Sequence, residues 1–381
     1  MEDVQIITNK EDIDAASDLV SYEETYGSDA SFCVANPYSP YWQAKVTDTV
    51  DELVHSWGVD GVYIDQIGSA GPKMCWDSTH GHTLGGGSWW REGYIAMLDA
   101  IAEKTVTRDG SASAPIVTED NAEPYMDALQ GYLSLVAFKA SLQLQPTPSS
   151  SQYKQLAPAF PVVYGGYYVA FGAQWYQLDF DDHDWWRGKL AATFVTGTQM
   201  GWFSIAGVQD DPDDGCGNMA VGDLLMSPNS TDLVQYLQLL ASYRRAIVDY
   251  FVDGVMARPV VADPAPPTLT QKVASGGYPL FDYDSMAMTS WSLKSDTATS
   301  TILVLTSPTS LAYDGVITVD FNNWGYDQVT ALSVSVVSAS GERTRLYEIE
   351  GPVAEMSVHV PGLDVLVLEF ASAVTGTGSR R

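Results

Sequence analysis

The sequence predicts an α/β protein: a (β/α)8 barrel of the TIM type that lacks its first units, followed by a C-terminal antiparallel β-sandwich. Up to about residue 255, short apolar runs alternate with polar loops and amphipathic helices, as in βα units around a parallel sheet. Beyond about residue 265, turn signals separate β-branched segments, a pattern typical of a small sandwich. We therefore expect domains at residues 1–255 and 265–375.

Composition agrees with a folded protein of two domains and argues against some partners. The chain has 381 residues, and domains usually have about 100 to 200. Its 19 Lys and Arg and 48 Asp and Glu leave a formal net charge of −29, whereas binding to a phosphate backbone needs clustered cations. No apolar run of about 18 residues is present that could span a bilayer. We expect neither a nucleic-acid nor a membrane partner.

The barrel prediction depends on individual helices and strands. In the first helix, apolar residues recur at three- and four-residue steps from Val46 to Trp57, and Gly58 ends it. The predicted elements of this domain are helices 42–57, 89–104 and 232–250 and strands 61–65, 115–119, 131–136, 160–164 and 201–205. Five or six strands can be counted in this way, whereas a complete barrel has eight. We expect the first two or three units to be missing or reduced.

The sandwich prediction depends on a break and on alternation beyond it. The Pro-rich segment 261–267 disfavours both a helix and a central strand, as expected for a connector. The predicted strands that follow are 301–305, 316–319, 332–336 and 365–370.

The cysteines and the first residues of the chain give information about where the protein is located in or outside the cell. Cys33, Cys75 and Cys216 are far apart and form no CxxC pattern, so we expect buried thiols or one bridge. Met1 is followed by a polar segment without a basic or apolar leader, so we expect that a signal was removed or that the start is truncated. The shortage of basic residues suits secreted or extracellular surroundings.

Two acidic residues close neighbouring predicted strands. Asp65 ends strand 61–65 and Glu119 ends strand 115–119, so both carboxylates are expected at the carboxyl edge of the sheet, where barrel active sites lie. Adjacent strands are about 4.7 to 4.9 Å apart, close to the roughly 5 to 5.5 Å carboxyl separation of a retaining glycosidase. We predict Asp65 as the nucleophile and Glu119 as the acid/base. Glu123 is an alternative acid/base, and helix capping is the alternative role for either acid.

A long loop rich in aromatic and polar residues follows Asp65. Such loops are usually functional, because most βα connections have only two to six residues. Trp faces can stack on sugar C–H groups while Asp and His bind hydroxyls. The predicted substrate-binding residues are Trp42, Gln66, Trp76, Asp77, His80, His82, Glu123, Tyr164 and Tyr167. Core packing is the alternative role for the tyrosines. A metal on the HxH pair is a weaker alternative, so we predict no metal ligands.

Other kinds of site are disfavoured. The acidic segments 179–184 and 210–214 offer oxygen ligands, but neither has EF-hand spacing. We therefore predict no cofactor and leave a structural calcium ion open as an alternative to solvated loops. No GxSxG elbow is present for a serine hydrolase, and the three glycines 85–87 lack the Lys and Ser/Thr of a phosphate loop.

Several segments together resemble a largely uncharacterised family of glycoside-hydrolase-like TIM barrels, distantly similar to α-galactosidases and endo-α-N-acetylgalactosaminidases. The segments that carry the resemblance are 36–38, Trp42–Gln43, 57–66, 75–77, 80–82, 85–87, 89–90 and 118–123. The resemblance implies that an aspartate closing the fourth strand is the nucleophile and that a glutamate after the fifth is the acid/base. Asp65 and Glu119 occupy these positions.

The leading hypothesis is therefore a retaining glycoside hydrolase that cleaves α-linked galacto- or gluco-configured sugars, with an oligosaccharide or glycan as its substrate. The alternatives are a non-catalytic carbohydrate-binding protein, which would keep the aromatic cleft without the chemistry, and a truncated, inactive hydrolase.

Overall fold

The computed structural model describes residues 23–26, 30–106, 113–133, 159–172, 183–201, 231–271, 281–294, 299–326 and 331–372. The described residues up to Leu133 form one compact unit, and those from Ala159 onward form a second.

The first unit alternates strands and helices along the chain. Its elements are β1 (Glu23–Tyr26), β2 (Ala30–Cys33), α1 (Pro40–His55), β3 (Val62–Ile64), α2 (Trp89–Lys104), β4 (Ile116–Glu119) and β5 (Gly131–Leu133). Single turns of 3₁₀ helix lie at Ser78–His80 and Glu123–Tyr125. β1 and β2 pair as an antiparallel hairpin, and α1 packs against α2.

The remaining three strands of this unit form a parallel sheet in the order β3-β4-β5. Ile64 pairs with Thr118, and Glu119 pairs with Leu133. Side chains on β4 alternate between buried and half-buried, because successive residues face opposite sides of a sheet. The predicted parallel βα arrangement is confirmed for these strands and for the two helices.

The second unit begins with helices and short strands and ends in long antiparallel strands. Its helices are α3 (Ala159–Tyr164), α4 (His183–Val195), α5 (Thr231–Ala246) and α6 (Val248–Val252), with one 3₁₀ turn at Phe321–Trp324. Its strands are β6 (Val169–Gly172), β7 (Gln199–Met200), β8 (Val255–Met256), β9 (Val261–Asp263), β10 (Thr268–Gln271), β11 (Phe281–Asp284), β12 (Ala287–Lys294), β13 (Thr299–Thr306), β14 (Tyr313–Asp320), β15 (Leu332–Val337), β16 (Arg343–Ile349), β17 (Val353–Val360) and β18 (Val365–Ser372).

The long strands of the second unit form two antiparallel sheets with the orders β16-β15-β18-β13-β12-β8 and β17-β14-β9. The smaller sheet covers one face of the larger, with Leu303 and Leu305 in their shared core. Helices α4, α5 and α6 cover the opposite face, with Ile302 and Val304 in that second core. All four of these β13 side chains are fully buried, which explains the uninterrupted apolar run in the sequence.

One predicted strand is wrong. Residues 160–164 form helix α3, and the strand lies further along at β6. A short apolar run has no period that separates a helix from a strand. Here Phe160 and Tyr164 are four positions apart and their ring centroids are 4.9 Å apart, as on one face of a helix. Gly165 and Gly166 follow, and Gly166 has φ +85°, a value that favours glycine.

Other boundaries differ by smaller amounts. The strand predicted at 201–205 is represented by β7, two residues earlier, while residues 202–205 lie outside the described part of the chain. The helix predicted at 232–250 is divided at Ile247 into α5 and α6. Strands β8 and β9 lie within the predicted boundary region, where they join the edges of the two antiparallel sheets. The domain limits at 1–255 and 265–375 stay a prediction.

Among the helices that the structure describes, none has both the length and the apolar character needed to cross a membrane.

Candidate functional site

The two predicted catalytic acids lie at the ends of neighbouring parallel strands. Asp65 directly follows β3, and Glu119 is the last residue of β4. Because Ile64 pairs with Thr118, each acid comes one residue after a pair in register. Asp65 is exposed and Glu119 is half-buried. Their carboxylates can therefore meet a solute at the carboxyl edge of this sheet.

Each of these acids is followed by a residue with a left-handed backbone. Gln66, directly after Asp65, has φ 63°, and Asp120, directly after Glu119, has φ 57°. In the described residues only one other non-glycine position, Leu363, has a positive φ. Such conformations are costly for residues with a side chain and are concentrated at functional sites. Both strands thus turn sharply at the point where the acid emerges.

The loop after Asp65 folds back onto the end of β4. Gly68 N–H donates to Thr118 Oγ1 at 3.3 Å, and Thr118 Oγ1 in turn donates to the Ile64 carbonyl at 2.7 Å. Ser69 Oγ donates to Glu119 Oε2 at 2.6 Å. These contacts tie the loop to both strands, and Ser69 orients the carboxylate of Glu119.

Tyr63 holds Asp65 from the same face of β3. The two residues are two positions apart, so their side chains leave the strand on one side. Tyr63 Oη donates to Asp65 Oδ1 at 2.7 Å. Burial raises the pKa of Tyr63, and the hydrogen bond to Asp65 and the negative charges of Asp65, Glu119 and Asp120 raise it further. The phenol therefore stays protonated, and the charges of all three carboxylates favour its protonated form.

The remaining predicted contacts have different surroundings. Glu123, the alternative acid/base, is exposed at the start of a 3₁₀ turn four residues beyond Glu119. Trp42 is partly buried on α1. Trp76 is also partly buried, and the edge of its ring lies so close to Gly85 that a Cβ there would be 3.0 Å from it. Their roles as substrate contacts stay predictions.

Tyr164 and Tyr167 belong to the second unit. Tyr164 ends helix α3, and Tyr167 is 76% exposed in the turn that follows. The strand predicted at 160–164, which would place Tyr164 at its end and Tyr167 just beyond it, is wrong because residues 159–164 are helical. Their contact with substrate stays a prediction.

His80 and His82 are joined by an asparagine that precedes α1. Asn36 Nδ2 donates to His80 Nδ1 at 2.9 Å and to His82 Nε2 at 3.0 Å. The N–H of Tyr38 donates to Asn36 Oδ1 at 2.9 Å, which directs the amide nitrogen towards the rings. Asn36 is fully buried and His80 is 8% exposed. The cluster thus connects the long loop to the segment before α1.

Cys75 and Trp89 complete the surroundings of this histidine cluster. Cys75 Sγ lies 3.3 Å from His80 Nδ1, and the thiol is buried, as expected for one of the two outcomes that the sequence left open. The ring of His82 stacks on Trp89 with centroids 4.1 Å apart. Residues 75 and 85 form an antiparallel bridge that closes the loop at its base.

Sequence reasoning did not identify Tyr63, Ser69 or Asn36 as site residues. Tyr63 carried a usable signal, since it lies two positions before Asp65 on the same face of a strand. Ser69 carried none, and Asn36 only its place in the resemblance segment 36–38, because their partners are 50 and 44 positions away in the sequence. Of the acidic segments 179–184 and 210–214, the alternative calcium sites, residues 179–182 and 210–214 lie outside the described part of the chain, and residues 183–184 begin helix α4.

This chain is similar to two curated proteins that are both named as putative glycoside hydrolases. Residues 10–176 match a family described as Domain of unknown function (DUF6259). A protein of Monosiga brevicollis named "Putative glycoside hydrolase 22789" is 41% identical over 253 residues, which are 66% of this chain and 20% of that protein. A Bacteroides thetaiotaomicron protein named "Putative glycoside hydrolase" is 25% identical over 256 residues, or 66% and 33% of the two chains. The resemblance to proteins named as glycoside hydrolases is confirmed. The chain spans between one fifth and one third of the length of these curated relatives.

A solved structure supports the mixed α/β fold. The chain is similar to a noncanonic maltogenic α-amylase, AmyB, from Thermotoga neapolitana, with a TM-score of 0.52 and 12% identity. The match covers 94% of this chain and 72% of that one. At this identity the likeness concerns the fold alone.

Proposed function

We propose that the protein is a retaining glycoside hydrolase in which Asp65 is the nucleophile and Glu119 is the acid/base. The observation that carries the proposal is the placement of both acids at the ends of adjacent, in-register parallel strands. The strand spacing of about 4.8 Å fits the short carboxyl separation of retaining enzymes rather than the roughly 6.5 to 9.5 Å of inverting ones. The names of both curated relatives support the same class.

The proposed reaction has two steps. Asp65 attacks the anomeric carbon with Oδ2, because Oδ1 accepts the hydrogen bond of Tyr63, while Glu119 donates its proton to the departing glycosidic oxygen. Glu119, now a carboxylate, then removes a proton from water, and that water displaces Asp65 from the anomeric carbon. The sugar leaves with its original anomeric configuration. The hydroxyl of Ser69 holds Glu119 in place for both proton transfers.

The proposal includes a fold and a substrate class. The parallel strands would belong to a (β/α)8 barrel, and the two antiparallel sheets with a shared apolar core would form a β-sandwich. We propose α-linked galacto- or gluco-configured glycans as substrates in an extracellular setting. Gln66, next to the nucleophile, and Trp76 would contact the sugar.

The first test uses Asp65→Asn, with Asp60→Asn as the matched control because Asp60 is an exposed acid shortly before β3. On activated aryl α-galactosides and α-glucosides, Asp65→Asn should lower kcat/KM by at least about 10³-fold while Asp60→Asn leaves it unchanged. A mechanism-based fluoro-sugar should label Asp65 in the unmodified protein. Turnover by Asp65→Asn close to that of the control would exclude this residue as the nucleophile.

The second test separates Glu119 from Glu123. Glu119→Gln should retain much of its first-step rate on substrates whose leaving group needs no protonation and lose it on natural glycosides. Glu123→Gln is the matched comparison: as a substrate contact it can raise KM, but its rate should not depend on whether the leaving group needs protonation. If Glu123→Gln shows this dependence on the leaving group and Glu119→Gln does not, Glu123 is the acid/base.

A further inference from the structure

A sulfur and two imidazole nitrogens converge in the first unit, on side chains that take part in neither of the two proposed reaction steps. The ligating atoms of Cys75, His80 and His82 all lie within 4.8 Å of one another. The first two side chains are buried and the third is partly buried. Two of the three come from the HxH pair and the third from the bridge at the base of the same loop.

The hydrogen bonds fix which nitrogen of each ring carries a lone pair. These nitrogens are His80 Nδ1 and His82 Nε2, and both face Asn36 Nδ2. His80 accepts from Asn36 at Nδ1 and directs Nε2 towards Asp77 Oδ2, 3.5 Å away. His82 accepts from Asn36 at Nε2 and donates from Nδ1 to the Thr83 carbonyl at 2.8 Å. In metal-binding histidines the ring nitrogen that does not bind the metal commonly donates to a carboxylate or a backbone carbonyl. His82 has this arrangement, and in His80 the corresponding nitrogen faces the Asp77 carboxylate at ion-pair distance.

The spacing fits a tetrahedral ion with one sulfur and two nitrogen ligands. Bond lengths of about 2.0 to 2.1 Å to nitrogen and 2.3 Å to sulfur give ligand separations of about 3.3 to 3.6 Å. Cys75 Sγ and His80 Nδ1 are already 3.3 Å apart. The widest separation in the cluster exceeds the tetrahedral value by little more than an ångström. The Asn36 amide nitrogen, which donates to both rings, lies where the ion would bind and would have to move aside.

We propose that Cys75, His80 and His82 bind a zinc-class transition-metal ion, with Asp77 and the Thr83 carbonyl orienting the two imidazoles. The mixture of thiolate and imidazole selects Zn²⁺ over hard cations such as Ca²⁺ or Mg²⁺. Binding releases the thiol proton of Cys75, because the thiolate is the ligand. The ion links Cys75 at the base of loop 75–85 to His80 and His82 within the loop, and it competes with Asn36 for the same lone pairs. This proposal is independent of the glycosidase assignment.

Metal titration of the full chain tests the proposal. Chelator-treated protein should bind one equivalent of Zn²⁺ and release about one proton, measured by calorimetry in buffers of different ionisation enthalpy. Co²⁺ in place of Zn²⁺ should give the charge-transfer absorption of a cobalt–thiolate bond. Zn²⁺ should also raise Tm, since an ion that binds only the folded chain stabilises it. Absence of stoichiometric Zn²⁺ binding at micromolar concentrations would overturn the proposal.

Matched variants identify the ligands. Cys75→Ser should abolish the cobalt–thiolate absorption, whereas Cys33→Ser and Cys216→Ser should retain it. His82→Gln, at the least buried ligand, should weaken Zn²⁺ binding by at least about 100-fold, and Asp77→Asn by about tenfold. His55→Gln and His359→Gln change exposed histidines that also contact an aspartate, and they should bind Zn²⁺ normally. A cobalt–thiolate band that persists in Cys75→Ser would refute the site. If Cys75→Ser does not fold, unchanged Zn²⁺ affinity in His82→Gln would refute it equally.

Discussion

At the scale of single residues, the environment of Asp65 separates two roles that its sequence position allows. An aspartate after a strand is often a helix cap, in which its oxygens accept backbone N–H groups. In the structure Asp65 Oδ1 instead accepts a hydrogen bond from the phenol of Tyr63, and no helix starts within the next ten residues. A carboxylate held in this way keeps its second oxygen available, which suits a nucleophile.

Tyr63→Phe tests the phenol without disturbing the core, because Tyr63 is 39% exposed. Losing a hydrogen bond to a charged carboxylate should lower kcat/KM by about tenfold through a misplaced nucleophile, with Tm nearly unchanged. Tyr41→Phe, at an exposed tyrosine on α1, is the control. Because the pKa of Tyr63 is raised, the phenol remains a donor throughout the working range and should add no limb to the pH–rate profile. An alkaline limb that disappears in Tyr63→Phe would contradict this account.

At the scale of elements, the turn after β3 depends on a glycine. A Cβ at Gly68 would lie 2.3 Å from the Glu119 carbonyl oxygen and 2.8 Å from that of Asp120. Both are backbone atoms, so the end of β4 or the loop after Asp65 would have to shift. The two acids are therefore held together by the closeness of two backbone segments as well as by the sheet.

Gly68→Ala should therefore lower the free energy of unfolding by about 1 to 3 kcal/mol, as overpacking does, and lower activity as well. Gly71→Ala is the matched control in the same loop, because nothing lies within 4 Å of its added Cβ. Urea unfolding and steady-state kinetics on both variants measure the difference. Equal stability of the two alanine variants would show that the loop can move away from β4 without cost.

The elements also show what the sequence can predict. Helix α2 matches its predicted bounds of 89–104, and its buried residues recur at three- and four-residue steps from Trp90 through Gly93 and Met97 to Ile101. Four long strands of the antiparallel sheets lie where β-branched alternation predicted them. The segment 160–164 was assigned wrongly because five apolar residues fit a helix and a strand equally well.

In the candidate site, too, some residues can be predicted from the sequence and others cannot. A carboxylate at the end of an apolar strand is visible in the sequence, because strand and acid are adjacent, and Asp65 and Glu119 were found on that basis. The hydrogen bonds of Ser69 and Asn36 depend on tertiary packing between segments more than forty residues apart. Their roles could be recognised only after the chain was folded.

At the scale of the whole molecule, buried tyrosines should control stability at alkaline pH. Burial is the main cause that raises the pKa of Tyr236, Tyr250 and Tyr326, the last to about 12. All three phenols bond to the strands of the large antiparallel sheet. Above the ordinary tyrosine pKa of about 10, phenols ionise in the unfolded chain while the folded chain keeps its protons. The folded state then loses stability as pH rises, by up to about 1.4 kcal/mol per pH unit for each fully buried phenol.

Urea unfolding between about pH 9 and pH 11 measures this effect. The free energy of unfolding should be constant at first and then fall, with a steep decline above about pH 10. Tyr236→Phe removes one of these phenols and should reduce the slope, which separates the phenols from the general repulsion of a chain with a net charge of −29. An identical slope in the variant would assign the decline to repulsion instead.

The double-sided burial of β13 also limits how this molecule could have been assembled in evolution. Its sheet is covered by helices from upstream residues on one side and by downstream strands on the other. Gene fusion or shuffling at about residue 255 would strip the helices from that sheet and leave Ile302 and Val304 facing water, at a cost of roughly 1.5 to 3 kcal/mol for each side chain. The C-terminal strands are therefore expected to be inherited together with α4, α5 and α6, as one exchangeable piece rather than as a separate module.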